Sequence, residues 1–359
     1  MNQTIVRINN ITKLLLFGTL VVSTGCTKKP EISFSCDRDK VGNYVLKWEV
    51  SPQNAADKIS IYMSDNDSVF TEPPILVADI NDYVASIPAQ DSISRNFFQL
   101  RVKNTYSGII SNHYFRMDNI QNFRDVGGYY TSSGVQIKWG MIYRSGDFST
   151  LSSKDYQTLD KLGIKTVIDF REEEERAMNP DLFRGENLIS LPINSGNRTY
   201  IRERVLDGSF YRGDAIVFTQ DMYKALIEYS SDKYAEFFDL LCDENNYPIV
   251  FHGYLGKDRT GLAAYFLLRA LGVPDDTNQD DYLFSNSCIS EQQVLGEARF
   301  LPERMQEAAT VICKADLSYL DYAKTWMINL NGSVDEYMTE RLRLTPEKRE
   351  RLRTLLLYK

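Results

Sequence analysis

The chain has 359 residues, of which 43% are hydrophobic and 25% are charged. This is an ordinary globular composition, and it argues against a collagen-like, coiled-coil or wholly disordered chain. The 49 acidic residues outnumber the 41 basic ones and give a formal net charge of −8. Because nucleic-acid backbones are held by basic surfaces, we expect no nucleic-acid partner. An anionic ligand therefore requires a local positive site.

The N-terminal segment, residues 1–25, is expected to be a lipoprotein signal peptide rather than part of the fold. Arg7 and Lys13 precede the apolar run Leu14–Val22, which is shorter than the roughly 20 residues that cross a bilayer. Small residues then lead into Cys26, and this ending resembles the cleavage motif of bacterial lipoproteins. We therefore predict a secreted bacterial lipoprotein, anchored to a membrane through lipidated Cys26 on the periplasmic or cell-surface face. The alternative is a plain signal peptide followed by an incidental cysteine.

Four further cysteines follow, at positions 36, 242, 288 and 313. No two of them have the spacing of a zinc-binding pair, and the chain has only two histidines. We therefore predict no metal site and no other cofactor. Cys288 and Cys313 could form a disulfide in an oxidising compartment, but buried free thiols are the preferred interpretation.

Residues 26–117 have the pattern of a small all-β domain. Strands are predicted at Ile32–Cys36, Tyr44–Ser51, Lys58–Met63, Tyr83–Ile87, Asn96–Val102 and Ile109–Phe115. In the second strand, Leu46, Trp48 and Val50 alternate with Lys47 and Glu49, which is the period of a half-buried antiparallel strand. Short strands in this number predict a β-sandwich of immunoglobulin or fibronectin type, whose preferred role is that of a spacer.

Residues 118–359 alternate strands with helices, which predicts an α/β domain with a central, mainly parallel sheet flanked by helices. After a hairpin over residues 129–139, the predicted strands are Lys165–Phe170, Leu188–Ile193 and Pro248–Phe251. Helices are predicted from Ser152 or Ser153 to Leu162, over residues 219–242 and over Thr260–Leu271, and in most of the chain after Asp275. The run Glu172–Glu175 is expected to be a solvated helix face, and Thr345–Lys359 a helix that docks on the domain.

One segment, residues 251–261, lies between a short apolar strand and a helix N terminus. A tight loop that enters a helix directs several backbone N–H groups at one point, and the helix dipole adds positive potential there. Lys257 and Arg259 add formal charge, and an arginine can bind two phosphate oxygens at once. The alternative is an ordinary strand–loop–helix turn that contains glycines. The residues predicted to hold a phosphate group are Gly253, Tyr254, Leu255, Gly256, Lys257, Asp258 and Arg259.

This segment resembles the signature loop of cysteine-based tyrosine phosphatases, His-Cys-x5-Arg. In the bacterial branch that includes tyrosine and phosphoinositide phosphatases, the loop ends in Gly-Lys-Asp-Arg-Thr-Gly, as residues 256–261 do. Further segments that resemble motifs of that branch are 122–128, 139–146, 162–171 and 280–286. The resemblance implies a phosphatase fold over residues 118–359 and a phosphorylated protein, lipid or small molecule as ligand. It implies that Arg259 binds the phosphoryl oxygens and that Asp258, or as second choice Asp169, protonates the leaving group. For Asp125 and Asp169, a structural ion pair is an equally open alternative.

The sequence departs from the family where the nucleophilic cysteine is expected, because this position is Gly253. Glycine cannot attack phosphorus, and the roles of Asp258 and Arg259 are then vestigial. Tyr254, His252 or a water could replace the thiol, although a phenol with a pKa of about 10 is mostly protonated at neutral pH and water attack normally requires a metal. We predict a pseudophosphatase that binds a phosphorylated ligand without turnover. The alternatives are an active phosphatase on phosphotyrosine or phosphoinositide by a non-standard route, and a structural surface-binding lipoprotein.

Overall fold

The computed structural model of the chain describes residues 29–91, 93–194, 203–204, 207–290, 294, 300 and 302–359. These residues form two compact units. The first contains the described residues up to Ala89 together with Asn96–Ser111, and the second contains Gln90–Arg95 together with Asn112–Lys359. The predicted signal segment and Cys26 lie outside the described residues. Within the described ranges, no helix is both long and apolar enough to cross a membrane.

The first unit consists of two antiparallel sheets. Its strands are β1 (Glu31–Arg38), β2 (Tyr44–Ser51), β3 (Lys58–Ser64), β4 (Leu76–Asp79), β5 (Val84–Ile87), β6 (Phe97–Val102) and β7 (Thr105–Tyr106). One sheet has the order β1-β2-β5 and the other the order β4-β3-β6-β7. Leu46 and Trp48 of β2 share one buried core with Ile61 of β3 and Leu100 of β6. Both sheets therefore contribute a buried face to the same core.

The strand pattern of the first unit was predicted in most places. The predicted strand Ile109–Phe115 is wrong, because Ile110 and Tyr114 make only isolated bridges. Strands β4 and β7 were missed, since short strands carry too few residues to show a period of two. The likeness to an immunoglobulin or fibronectin domain stays a prediction.

The second unit contains a sheet of mainly parallel strands. They are β8 (Arg124–Asp125), β9 (Ile142–Ser145), β10 (Thr166–Asp169), β11 (Asn187–Ser190) and β12 (Ile249–His252). Their order is β11-β10-β12-β9-β8. All neighbouring pairs are parallel except β8 with β9, which confirms the predicted sheet type. The register places Asp169, His252 and Ser145 side by side where three parallel strands end, which is the edge where such sheets bind ligands.

Helices follow or precede these strands. They are α1 (Ser153–Lys161), α2 (Glu173–Met178), α3 (Arg212–Tyr229), α4 (Ser231–Leu241), α5 (Arg259–Leu271), α6 (Asp275–Cys288), α7 (Glu303–Cys313), α8 (Leu317–Asn331), α9 (Val334–Glu340) and α10 (Pro346–Leu356). Ser152 caps α1 as predicted, by accepting a hydrogen bond from the amide of Asp155. The single helix predicted over residues 219–242 is two helices, which meet at Ser230. The predicted hairpin over residues 129–139 is present but short: Thr131 donates to the carbonyl oxygen of Val135 and Ile137 to that of Tyr129, around a single bridge between Tyr130 and Gln136.

Helix α5 is the central helix of the second unit. Nearly all of its residues are buried, which explains why its sequence is apolar on every side. Its side chains pack in one core with β10, β12 and the C-terminal helix α10, so the predicted docking role of α10 is confirmed. Gly272 ends α5 with a φ of 94°, a left-handed conformation that glycine adopts without strain. This packing fixes the N terminus of α5 beside the end of β12.

Candidate phosphate-binding site

Residues 253–259, the cradle loop, connect β12 to the first residue of α5. The carbonyl oxygen of Tyr254 accepts a hydrogen bond from the amide of Asp147 at 3.1 Å. The carbonyl oxygens of Leu255 and Gly256 both accept from Asn122 Nδ2 at 3.0 Å. Because a peptide N–H points away from the preceding C=O, the amides of residues 255–257 point to the opposite side of the loop. Within the described protein, these three amides donate no hydrogen bond.

The tight turn of the loop requires glycine at position 256. Gly256 has a φ of 67°, and a Cβ at this position would lie 2.1 Å from the carbonyl oxygen of Ser145. Any side chain would therefore push the loop away from the end of β9. The close approach of two backbones holds the cradle loop at the edge of the sheet.

A buried frame of two arginines and one carboxylate supports the loop from below. Arg144 Nη2 donates to the carbonyl oxygen of Gly256 at 2.9 Å, and its Nη1 donates to Asp281 Oδ2 at 2.6 Å. Arg124 Nε donates to Asp281 Oδ1 at 3.3 Å, and Arg124 also donates to the side chain of Asn122. Burial alone raises the pKa of Asp281, but the charges of Arg124 and Arg144 lower it to about 2. Burial and the neighbouring charge of Arg124 lower the pKa of Arg144 to about 10.

This frame explains three of the motif segments noted in the sequence. Segments 122–128, 139–146 and 280–286 supply Asn122, Arg124, Arg144 and Asp281. In the sequence these segments only resembled motifs of one family, and no role was assigned to these four side chains. The structure shows that they hold the backbone of the cradle loop.

Arg259 forms a bidentate ion pair with Glu175 of α2. Its Nη1 donates to Oε2 at 2.7 Å and its Nη2 donates to Oε1 at 3.0 Å. Nη1 also donates to the carbonyl oxygens of Phe170 at 3.1 Å and Ile193 at 3.4 Å. Although burial lowers the pKa of Arg259, the hydrogen bond and the charge of Glu175 raise it above the ordinary value.

The expectation that Glu172–Glu175 is a solvated helix face is therefore wrong for one residue. Glu173 and Glu174 are exposed, whereas Glu175 has a relative exposure of 6% and Arg259 one of 5%. A guanidinium taken out of water requires a counter-charge, and Glu175 provides it. No sequence pattern indicated this pair, because its partners are separated by 84 positions.

The pair with Glu175 leaves one edge of the Arg259 guanidinium without a described partner. An arginine has five N–H donors, and the contacts above use those of Nη1 and one of Nη2. Arg259 also lies close to Gly253, because a Cβ built on Gly253 lies 3.6 Å from Arg259 Nε and 3.9 Å from its Cζ. The same Cβ lies 3.3 Å from Oγ1 of Thr260, which is buried and has no hydrogen-bond partner among the described residues. The Arg259 guanidinium and the Thr260 hydroxyl therefore both border position 253.

Asp258 and Lys257 lie together at the side of the loop. Lys257 is buried, and its Nζ donates to Asp258 Oδ1 at 2.8 Å. The hydroxyl of Tyr223 on α3 donates to the same oxygen at 2.9 Å and lies 2.6 Å from the hydroxyl of Tyr282. Burial raises the pKa of Tyr223 well above the ordinary value, so Tyr223 stays protonated and acts as donor. Sequence reasoning missed Tyr223, which belongs to no motif.

His252 lies below the loop rather than in it. Its Nε2 contacts Asp181 Oδ2 at 3.1 Å, and its ring stacks on Phe148 with centroids 5.2 Å apart. Burial lowers the pKa of His252, but the hydrogen bond to Asp181 and the charges of Asp169 and Asp181 raise it above the ordinary value. These three side chains are close enough to share a metal ion. Arg171, however, already pairs with Asp169 at 3.0 Å and with Asp181 at 2.6 Å, and it supplies the positive charge of this cluster.

The contacts of Asp169 and Asp125 are those of structural ion pairs. Asp169 binds the backbone amide and the guanidinium of Arg171. Asp125 binds Arg95 at 2.5 Å and also accepts from the amides of Gly127 and Gly140. Both carboxylates are thereby occupied within the protein.

The described cysteines are free thiols outside the cradle loop, and Cys288 and Cys313 are buried.

The sequence of the second unit matches a known family and several known proteins. Residues 115–358 match the tyrosine phosphatase family, which is more than half of the chain, and the chain belongs to this family. It is 30% identical over 235 residues to a predicted tyrosine-protein phosphatase of Cupriavidus necator, covering 64% of this chain and 84% of that protein. It is 27% identical over 259 residues to the triple specificity protein phosphatase PtpB of Mycobacterium tuberculosis, covering 61% of this chain and 90% of that protein. The chain is also similar to the solved core catalytic domain of the PP-IP phosphatase SIW14 from S. cerevisiae. The match covers 56% of this chain and 93% of that domain, at 12% identity and with a TM-score of 0.25.

Proposed function

We propose that this member of the tyrosine phosphatase family binds a phosphorylated ligand in the cradle loop and does not turn it over through a phosphocysteine. The observation that carries the proposal is the place of Gly253. Arg259 Nε and the hydroxyl of Thr260 both lie close to this residue, and the resemblance to the family places a thiol nucleophile at this position. A hydrogen atom in place of that side chain cannot attack phosphorus.

The binding half of the proposal rests on the donors of the loop. The amides of residues 255–257 have no acceptor within the described protein, and α5 adds the positive end of its dipole. The open edge of Arg259 offers two parallel N–H donors, which suit two oxygens of one phosphoryl group. The charges of Lys257 and Arg259 are paired with those of Asp258 and Glu175. Recognition therefore depends on directed hydrogen bonds more than on net charge.

The substitute nucleophiles considered from the sequence have weak support. His252 is fully buried below the loop and held by Asp181. Tyr254 is 46% exposed, on the loop but directed partly to solvent. No described cysteine belongs to the loop. The names of the relatives denote phosphatases, and this favours a direct assay of the enzymatic alternative.

Ligand binding can be tested by thermal unfolding with inorganic phosphate or phenyl phosphate at millimolar concentration. We expect both ligands to raise the melting temperature of the wild type through mass action. Replacing Arg259 alone would leave Glu175 as an unpaired buried charge, so the test variant is the double substitution Arg259→Met with Glu175→Gln. It should lose the phosphate-dependent stabilisation. Arg269→Met, on the same helix but paired with Asp335 near the surface, should keep it.

Turnover is tested on the same proteins with an aryl phosphate. We expect no hydrolysis by the wild type above the level of the double variant. Hydrolysis that disappears in the double variant but persists in Arg269→Met would show an active phosphatase of non-standard route. Absence of phosphate-dependent stabilisation in the wild type would instead favour the structural surface-binding alternative.

We further propose that Cys26 anchors the chain to a membrane as a lipoprotein and that the first unit acts as a sandwich-like spacer. Replacing Cys26 with serine should release the processed protein from the membrane fraction, since a lipid chain is then missing. A Cys26→Ser protein that is processed normally and still partitions with membranes would contradict this anchoring.

A further inference from the structure

We infer that the outer edge of β11 is a docking site for an extended segment of a partner protein, in which basic side chains alternate with apolar ones. The segment adds a strand beside β11 and directs its basic side chains toward α4. The site shares no residue with the cradle loop, and the inference goes beyond the proposed function.

The first observation is the open edge of β11. This strand is the last of its sheet, and among the described residues it pairs only with β10. The amides of Asn187 and Leu191 donate to carbonyl oxygens on the β10 side, at 3.0 and 2.8 Å. Because successive residues of a strand bond to opposite sides, the N–H and C=O groups of Leu188 and Ser190 point away from β10. These four groups have no backbone partner within the described ranges, and an added strand would bond to them.

The open edge is short. The next residue on this side is Pro192, which has no N–H and cannot continue the ladder. An added strand therefore spans about five residues, opposite 187–191. This length suits one short segment rather than an extended sheet between molecules.

A groove of about 390 Å³ lies beside this edge, between β11 and α4. Its apolar lining consists of Ile189, Leu191 and Leu240. Ile189 and Leu191 pack in the same core as the buried side chains of α4, so the groove lies on the α4 face of the sheet. Its volume falls in the range of roughly 300–1,000 Å³ that is typical of ligand sites, and it has room for side chains of an added strand.

The polar lining of the groove is acidic. Glu236, Asp239 and Asp243 line it, and among the described residues no lysine or arginine does. Glu236 pairs with Lys233 at 2.9 Å and Asp239 pairs with Lys348, but the two carboxylate side chains are 52% and 56% exposed. Exposed pairs of this kind contribute little free energy, so an incoming basic side chain can replace them. Asp243 forms no ion pair within the described part of the chain. The groove is therefore complementary to positive charge.

The alternation of a strand defines the pattern of the partner. Every second side chain of an added strand points toward α4, at intervals of roughly 6–7 Å. Glu236 and Asp239 lie three positions apart on α4, about 5–6 Å from each other, so basic residues at alternate positions can reach both. The remaining side chains point to the opposite face of the sheet, where Leu188 is 50% exposed. An apolar residue fits there.

The test uses the full chain and a fluorescein-labelled peptide of sequence Lys-Val-Lys-Val-Lys with an amidated C terminus. Binding is measured by fluorescence anisotropy. We expect this peptide to bind and its charge-inverted form, Glu-Val-Glu-Val-Glu, not to bind. A third peptide carries the same basic sequence with its internal amides N-methylated. It keeps the charges but cannot donate backbone hydrogen bonds, so we expect it not to bind either.

Two variants of the protein test the edge and the charges separately. Ser190→Pro removes an outward N–H and leaves the ladder with β10 intact, and we expect it to weaken binding at least about tenfold. The double substitution Glu236→Gln with Asp243→Asn should weaken binding about fivefold, the effect of two exposed ion pairs. Glu307→Gln is the matched control, because Glu307 is an exposed acid of α7 that does not line the groove.

Amide hydrogen exchange of the wild type, followed by NMR, provides a readout that needs no variant. The peptide should slow exchange at Leu188 and Ser190, whose amides gain acceptors. The amides of Asn187 and Ile189 already bond to β10 and should change less. If Ser190→Pro lowers the melting temperature markedly, this measurement and the charge variant decide the outcome.

Equal binding by the N-methylated peptide, or no change in exchange at Leu188 and Ser190, would refute strand addition and leave only an electrostatic site for cations. Equal binding by the double variant would refute the role of the acidic lining. If the wild type binds none of the peptides, the docking site is refuted while the cradle loop stands, because phosphate binding is measured separately. Failure of phosphate binding would likewise leave the docking site untouched.

Discussion

The ion pair between Glu175 and Arg259 leads to a quantitative prediction for stability. Replacing Glu175 with glutamine keeps the shape of the side chain but removes its charge. Arg259 then remains buried as an uncompensated cation, held by one amide oxygen and two carbonyl oxygens. Breaking a buried pair by removal of one partner costs about 3–5 kcal/mol. Since glutamine still accepts one hydrogen bond, we expect the lower end of this range.

The assay is chemical and thermal unfolding of the full chain. For a unit of this size, a loss of about 3 kcal/mol corresponds to a fall in melting temperature of roughly 6–12 °C. Glu174→Gln is the matched control, because Glu174 is the exposed neighbour on the same short helix, and a surface substitution stays within about 0.5 kcal/mol. Adding phosphate should recover part of the loss in Glu175→Gln, since the ligand brings a counter-charge to Arg259.

A double-mutant cycle with Arg259→Met isolates the pair itself. We expect the double variant to lose less free energy of unfolding than the two single variants lose together. The difference, which is the coupling energy of the pair, should be about 1–3 kcal/mol. A loss of under 0.5 kcal/mol in Glu175→Gln, roughly the effect expected of a surface site, or additive single losses, would refute the reasoning about the buried pair.

Three further predictions concern the support of the cradle loop. Asp281→Asn should lower stability by about 3–5 kcal/mol, because Arg124 and Arg144 lose their shared counter-charge; unfolding in urea measures it. The folded pKa of Asp281 is about 2, so its contribution to the free energy of unfolding is complete above the ordinary pKa of an aspartate and is lost as pH falls toward 2. The stability of Asp281→Asn should therefore depend less on pH in the acid range than that of the wild type. The pKa of His252 is raised on folding, so its contribution is full below the ordinary value of 6.5 and is lost as pH rises through the folded value. The urea midpoint of the wild type should therefore fall as pH rises above 6.5, and His252→Gln should remove that slope. Asn122→Gly, which tolerates the positive φ of 58°, removes two hydrogen bonds to loop carbonyls and should weaken phosphate binding in calorimetry; unchanged binding would show that the loop holds its shape without Asn122.

Much of the fold was predictable because it depends on local patterns. The alternation in β2 gave its bounds without error, and the apolar run 260–271 with its terminal glycine gave α5 within one residue. The parallel sheet followed from the alternation of strands and helices. The strand Ile142–Ser145 was not predicted as a strand, because its alternate side chains include Arg144, which is buried only through its pair with Asp281.

The site was predictable where the chemistry lies in one continuous segment. Residues 253–259 are contiguous, and the structure places them as one loop at the N terminus of α5. The partners that complete the site are distant in the chain and follow no period. Glu175 was taken for a solvated residue, because its burial depends on a guanidinium 84 positions away. Tyr223 belongs to no motif. The hydroxyl of Thr260 is buried without a described partner, and it lies beside position 253, where the side chain is missing.

The central claim is that the site lacks a nucleophile and otherwise keeps the geometry for phosphate. The most direct measurement is hydrolysis of an aryl phosphate by the wild type, by Gly253→Cys, and by the triple variant that places Cys-Thr-Ala at positions 253–255. The backbone of Gly253 is outside the left-handed region, and a Cβ there would lie 3.3 Å from Thr260 Oγ1, a tight contact that a small shift of this hydroxyl relieves. The new thiol would then lie beside Arg259 and should have a lowered pKa. The account predicts no turnover by the wild type, and hydrolysis with a trapped phosphocysteine in the triple variant. Turnover by the wild type that depends on Arg259, or a triple variant that binds phosphate but never forms the phosphocysteine, would contradict it.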